Sequence, residues 1–498
     1  MRLVTRDDIV RWGKTYEAKG DFPILIAKLI LASTPINTRL RFPSGSAVFL
    51  SGWDGRVECE TNTHFVRKGI SLFEIGTERN PVQKIERDYQ KRTLESSSHN
   101  KSDITFVLIT CFTWNEKKKE DWVKQKNEDK IWKEVIVYDA IDIELWLENC
   151  IVVARWFLPK IGKTNSEGFL LAEESWREWS TAHNIELPPN IIVVGREKEC
   201  DELLNILNDK PTLIGVRAST RNEAIAFIIA NGKLFTTVDS ERFFSKTLVI
   251  NSINDYRVFA RQNLSSLILI ANIDDSNPLY SAVTNGHFVF VPLGAQDVFN
   301  QKTIELPVLD RDSLIKILVD LEINEDQAKR YVLESGRNIT ILKKFLGFPE
   351  LSIYTEQKKN VREVIPALLL GRWIEGFEGD IELIEKLSGQ NHSEYSVILN
   401  RWKNINDSPL IHISNVWRLT SPLDLWTSVS KYITNEDLES LKECFKTAFF
   451  NGNPDIESND DLPFSSLFKS KKFSNWSREG LCHSLILVGL RGDALQMP

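Results

Sequence analysis

With 498 residues, 42% of them hydrophobic and 26% charged, the chain is too long for one core and reads as about three or four globular domains, not as a fibrous or disordered polymer. A net charge of −7 excludes a protein that coats nucleic acid along its whole length, although residues 1–100 carry 16 Lys and Arg against 12 Asp and Glu. Six scattered cysteines with no Cys-x-x-Cys spacing give neither a zinc site nor a disulfide framework, and with acids at Asp7 and Asp8 and no apolar run of membrane-spanning length, a cytoplasmic, non-membrane protein is expected.

In chain order the N-terminal region predicts a helix over 22–32, strands over 47–60 and 69–76, a helix over 82–93, strands over 103–110 and 134–138, and a helix over 142–149 that runs on to an exit at Trp156. The charge-dense segment 115–133, with Trp114, Trp122 and Trp132 in and around it, reads as a helical excursion whose tryptophans cover the sheet in preference to stacking on bases. Within this frame Gly52-Trp53-Asp54-Gly55 closes on one strand, Phe73-Glu74-Ile75-Gly76 on the next, and Lys84 follows on the helix. Two carboxylates on neighbouring strands can hold a divalent ion that activates water and neutralises a phosphate, while an ammonium steadies either one. Singly, Asp54-Gly55 is a turn signal, Glu74 a strand-end acid and Lys84 the helical partner of Asp88; the order of all three gives them chemical meaning. Glu58 and Glu60 share the alternation of Asp54 and read as strand-surface acids.

The order of elements and the motifs Gly52–Gly55, Phe73–Thr77, Lys84 and Asp88-Tyr89-Gln90-Lys91-Arg92 resemble the Mrr-like restriction-endonuclease domains of the PD-(D/E)xK fold. The resemblance implies an α/β/α nuclease domain over residues 1–165, with Asp54 and Glu74 as catalytic metal ligands for Mg²⁺ or Mn²⁺. Because the lysine of that fold stands two residues after the acid, where this chain has Gly76, the resemblance moves the lysine role to Lys84.

After a linker with a Trp-rich helix (166–190), Val194-Gly195-Arg196-Glu197 opens a new α/β segment. The entry resembles the nucleotide-binding domain of STAND ATPases, a branch of the AAA+ proteins, and implies such a domain over 191–300. Its phosphate loop is degenerate: Leu213-Ile214-Gly215-Val216-Arg217-Ala218-Ser219-Thr220-Arg221 contains no Gly-Lys-Ser/Thr, and neither Arg217 nor Arg221 reproduces a lysine's point charge. Arg196, Gly215, Ser219 and, after a strand over 267–270, Asp274 are the candidate residues for ATP, with hydrolysis expected to be lost. Helices over 312–321, 325–335 and 339–345 resemble the helical lid (301–360), and short strands near 409–412 and 416–419 before a helix over 423–432 resemble a winged-helix domain (361–450). Residues 451–498 begin a helical region with a helix over 476–490.

The fold class is multidomain α/β, and the two resemblances together imply an antiphage defence effector. A STAND-like module would bring nuclease domains together in a homo-oligomer on sensing a phage protein, and the assembly would cut double-stranded DNA. The alternative is a non-catalytic DNA- or nucleotide-binding scaffold that retains both folds.

Overall fold

The computed structural model of the protein describes residues 2–43, 52–95, 100–164, 169–182, 185–262, 266–273, 279–295, 297–348, 358–403, 409–419, 422–451 and 472–489. The N-terminal unit runs α1 (Arg6–Trp12), α2 (Ala18–Ser33), β1 (Arg39–Arg41), β2 (Gly55–Cys59), β3 (Gly69–Gly76), α3 (Pro81–Leu94), β4 (Ile104–Thr110), α4 (Glu116–Glu128), β5 (Glu134–Tyr138), α5 (Ala140–Asn149) and α6 (Ile151–Phe157). Its sheet follows chain order, β1-β2-β3-β4-β5, with β1, β2 and β3 antiparallel and β3, β4 and β5 parallel.

Every residue of β4 is buried, as expected for an apolar parallel strand covered on both faces. One face of the sheet packs Phe73, Val107 and Ile109 with residues of α1, α2, α5 and α6. The other packs Leu72, Phe106 and Leu108 against Ile85 and Tyr89 of α3 and against Trp114 and Trp132. Trp122 is half-buried edge-on to Tyr89, and its indole N–H donates to Glu86 at 2.7 Å. The tryptophans thus cover the sheet, as the sequence predicts.

Two expected elements differ. Of the strand expected over 47–60 only β2 is seen, and residues 44–51 lie outside the described residues. The helix expected over 142–149 ends at Asn149 as predicted, but the exit to Trp156 is itself helical, a second helix set off because Cys150 leaves helical geometry at φ −120° and ψ 67°.

The second unit begins earlier than the linker reading allows. Residues Phe169–Leu171 form β6, which pairs antiparallel with a later strand, and Trp176 of α7 (Ala172–Ser180) is buried in the second core. A small ribbon of β7 (Thr181–Ala182) and β8 (Ile185–Glu186) follows. Then come α8 (Glu197–Leu207), β9 (Leu213–Arg217), α9 (Arg221–Leu234), α10 (Thr237–Phe244), β10 (Thr247–Ile250), α11 (Ile253–Phe259), β11 (Ile268–Ala271), α12 (Tyr280–Thr284), β12 (Phe288–Leu293) and β13 (Thr303–Glu305). The sheet order is β13-β9-β12-β11-β10-β6, parallel except at β6. The two units are fastened by buried Arg242, which donates to the carbonyls of Thr34 and Thr38 at 3.1 and 2.9 Å, and by Lys28 on Glu241 at 2.6 Å.

Helices α13 (Arg311–Asp320), α14 (Glu325–Glu334) and α15 (Ile339–Phe345) follow the predicted spans closely. Beyond them, strands Arg372–Ile374, Leu410–Ile413 and Val416–Leu419 form an antiparallel sheet of three, one more than expected, flanked by helices that include Pro422–Val429 and Asn475–Gly489. Among the described residues no helix is long and apolar enough to cross a membrane.

Trp146 anchors the N-terminal core: it is fully buried and stacks on Phe65 with ring centroids 4.7 Å apart. Trp146→Ala is expected to lower stability by about 3–5 kcal/mol, read from the urea midpoint of the N-terminal unit's unfolding; a loss under about 1 kcal/mol would contradict this packing.

Candidate functional site

Glu74 is a charged residue inside the buried stretch of β3. A carboxylate there must find a partner, because burying an unpaired charge is far costlier than one hydrogen bond can offset. The partner is Arg92, whose Nε donates to Glu74 Oε1 at 2.5 Å; the side chains are 8% and 7% exposed, respectively. Arg92 also donates to the carbonyl of Gly52 and to Glu95 at 2.7 Å, and its guanidinium lies 4.6 Å from the Trp53 ring centroid. One arginine therefore ties the Gly52-Trp53 turn to the acid on the neighbouring strand.

The β2–β3 register pairs Gly55 with Phe73, so Asp54 stands across from Glu74. Asp54 donates its backbone N–H to Phe73 O at 3.1 Å, and its Oδ2 accepts the Ile75 N–H at 2.7 Å. Burial raises the Asp54 carboxyl above its ordinary value, offset in part by the Ile75 hydrogen bond and Lys84. Burial first and the charge of Asp54 second push Glu74 up to about 7, against the pull of Arg92. Two acids both raised by burial, one of them raised further by the charge of the other, are a site for positive charge.

Helix α3 supplies that charge. Asn80 caps it by accepting the Gln83 N–H, Pro81 opens it, and Ile85, Asp88, Tyr89 and Arg92 form its buried stripe. Lys84 sits at the edge of the stripe, ion-paired with buried Asp88. Its stem lies directly over Gly76, where an added Cβ would come within 3.0 Å of Lys84 Cγ. The three residues expected to act together, Asp54, Glu74 and Lys84, are thus gathered at the same end of β3. Among the described residues no group of three or more His, Cys, Asp or Glu side chains is drawn together for a metal, so a cation here would rest on the two acids with water or substrate completing its shell. Glu58 is exposed, and Glu60 accepts from Asn37.

Arg92 stands in the Asp88–Arg92 motif, but the motif assigns it no role at the site. Its signal is the α3 phase: with Ile85, Asp88 and Tyr89 it falls on the inward stripe, where an arginine needs an acid.

The expected nucleotide residues do not form a phosphate cradle. Gly215 lies within β9, its N–H donating to Lys302 O at 2.9 Å, and an added Cβ would meet Leu293, Thr303 and Phe299 within 3 Å. Buried Arg196 donates to Glu223 at 2.6 Å and to Pro307 O at 2.8 Å. The other Glu223 oxygen accepts the Ser219 N–H at 3.2 Å, so a side-chain carboxylate stands where an anionic ligand would. Arg221 donates to both oxygens of Asp297, at 2.7 and 3.0 Å, and Arg418 of the C-terminal sheet reaches the same carboxylate at 2.6 Å. Against desolvation, these two arginines hold Asp297 below the ordinary carboxylate range. Arg217 donates to Gly294 O and Asp297 O at 2.9 and 2.7 Å. Asp274 lies outside the described residues.

A scan against protein-family models gives no match, and a search of curated proteins gives none.

Removing Arg92 leaves Glu74 buried beside Asp54 without its counter-charge. Arg92→Ala is expected to cost about 3–5 kcal/mol at pH 8, and less at pH 6, where Glu74 takes a proton. Urea unfolding at the two pH values checks both the size and the pH trend; an equal loss at both would refute the assigned charge on Glu74.

Proposed function

We propose that the N-terminal unit is a metal-dependent nuclease domain of the restriction-endonuclease type acting on double-stranded DNA. The observation that carries this reading is the facing of Asp54 and Glu74 on adjacent strands with the Lys84 stem filling the space over Gly76. That geometry supports the shift of the lysine role from strand to helix.

The donor set suits Mg²⁺ or Mn²⁺: two oxygen ligands, both destabilised as anions by burial. A bound divalent ion supplies neutralising charge and a more acidic water. The chain's own residues do the rest. Asp54 and Glu74 hold the cation position; Ile75 N–H fixes the rotamer of Asp54, and Arg92 that of Glu74. Lys84, restrained by Asp88, presents an ammonium to a substrate phosphate or to the attacking water. Such fixed charges act where negative charge develops, the largest common source of rate enhancement.

The second unit is read as a STAND-like module whose anion positions are filled by its own acids, Glu223 and Asp297, so that it joins protomers or relays a signal without hydrolysing ATP. A homo-oligomer and a phage protein trigger belong to this reading. The same internal pairs, together with Arg92 on Glu74, favour the second reading, a binding scaffold that retains both folds without catalysis.

For Glu74 the folded carboxyl holds its proton above the ordinary 4.5, up to about 7. Its contribution to stability is therefore full below about 4.5 and lost as pH rises through about 7, while its capacity to hold a cation appears over the same window. Plasmid cleavage by the full chain is expected with Mg²⁺ and not with EDTA, to increase from pH 6 to pH 8, and to fall to the EDTA level in Glu74→Ala. Cleavage that survives Glu74→Ala would remove this site from the chemistry. No cleavage even after fusion to a dimerising coiled coil would favour the scaffold.

A further inference from the structure

The edge of the first sheet carries an arrangement that the fold does not need. Arg41 of β1 stands directly across from Arg56 of β2. Like charges at directly opposed positions of an antiparallel pair repel and are destabilising. Both side chains are exposed, and among the described residues neither has a hydrogen-bond or ion-pair partner. The neighbouring position is balanced in the ordinary way, Arg39 across from Glu58. No packing role accounts for the Arg41/Arg56 pair: the intervening Leu40 and Val57 point to the opposite face, into the core with Phe73.

The face on which the pair lies gives it meaning. Arg56 is in register with Leu72, which packs on α3. Asp54, two residues before Arg56, stands across from Glu74 and is coupled to Lys84 and Arg92 of the same helix. Arg56 is therefore on the same side of the sheet as the carboxylate pair, about 7 Å along the strand from Asp54, with Arg41 about 5 Å beyond it across the ladder. A polyanion held at the carboxylates would extend over this edge, and its attraction for both arginines would offset the repulsion between them.

We infer that Arg41 and Arg56 bind the phosphate backbone of the DNA duplex and carry it to the Asp54/Glu74 pair. This rests on the nuclease reading and adds the substrate-positioning surface to it. Each guanidinium offers forked donors to phosphate oxygens, a geometry that lysine does not reproduce. Backbone contacts of this kind fix register and orientation and carry no base preference.

The test is the salt dependence of binding. A fluorescent duplex is titrated with the full chain in EDTA, where no cleavage intervenes, and log affinity is plotted against log salt. Each phosphate neutralised contributes about −0.9 to the slope, so Arg41→Ala/Arg56→Ala is expected to make the slope about 2 units shallower. Between about 50 and 200 mM salt the variant then loses about tenfold less affinity than the unaltered chain. Arg41→Lys/Arg56→Lys restores the slope while leaving affinity below that of the arginine form. The melting temperature of the alanine variant is expected to equal or exceed that of the unaltered chain, because the opposed charges are gone, which separates lost binding from lost folding. Strong binding with an unchanged slope would overturn the arginine surface and leave the nuclease reading standing. No duplex binding by the unaltered chain would overturn both.

Discussion

A carboxylate in the middle of a buried strand is the constraint around which the N-terminal unit is organised. Glu74 lies in β3, between the antiparallel and the parallel halves of the sheet, where water cannot solvate it. An acid in that position has two stable outcomes, protonation or a cation. The structure has arranged for both: the carboxyl is pushed up to about 7, and Arg92 is held beside it by Gly52, Glu95 and Trp53. A hydrophobic residue at 74 would be easier to bury. Keeping an acid there, across from a second acid, is a cost in stability of the sort that functional sites carry.

The second unit shows the opposite use of the same physics. There the acids Glu223 and Asp297 are matched with Arg196, Arg221 and Arg418, and the helix N-terminus that could receive a phosphate has its Ser219 N–H satisfied from within the chain. Asp297 also links the parallel sheet to the C-terminal sheet through Arg418, so an internal carboxylate ties together two parts of the chain. In the first unit Arg92 answers Glu74 while Asp54 has no ion pair among the described residues, whereas the second unit has closed its charges on one another. This contrast is the reason the proposed chemistry is assigned to the first unit.

Much of this was legible in the residues. Strands 69–76 and 134–138 match the expected bounds because apolar, β-branched runs between turn residues leave few alternatives, and Asp54, Glu74 and Lys84 are close together because short connections bring neighbouring elements together. What escaped depends on distant partners. Strand β6 is only three residues long and becomes a strand by pairing with β10, about 80 positions later; nothing local marks it. Arg92 reads as one more cation on a basic helix until its phase is set against the acid on β3. Asp297 gains its role from arginines far off in both directions along the chain. Gly215 read as a loop glycine because the motif comparison put it there, whereas it is the close approach of Leu293, Thr303 and Phe299 that requires a residue without a side chain.

The central claim is that Asp54 and Glu74 together form a cation site, and calorimetric titration of Mn²⁺ into the full chain at pH 6 and pH 8 addresses it without depending on a trigger or a substrate. One ion per chain, bound more tightly at pH 8 than at pH 6 and lost in Asp54→Asn, is the predicted result. Absence of binding at both pH values, or binding that Asp54→Asn leaves unchanged, would contradict it.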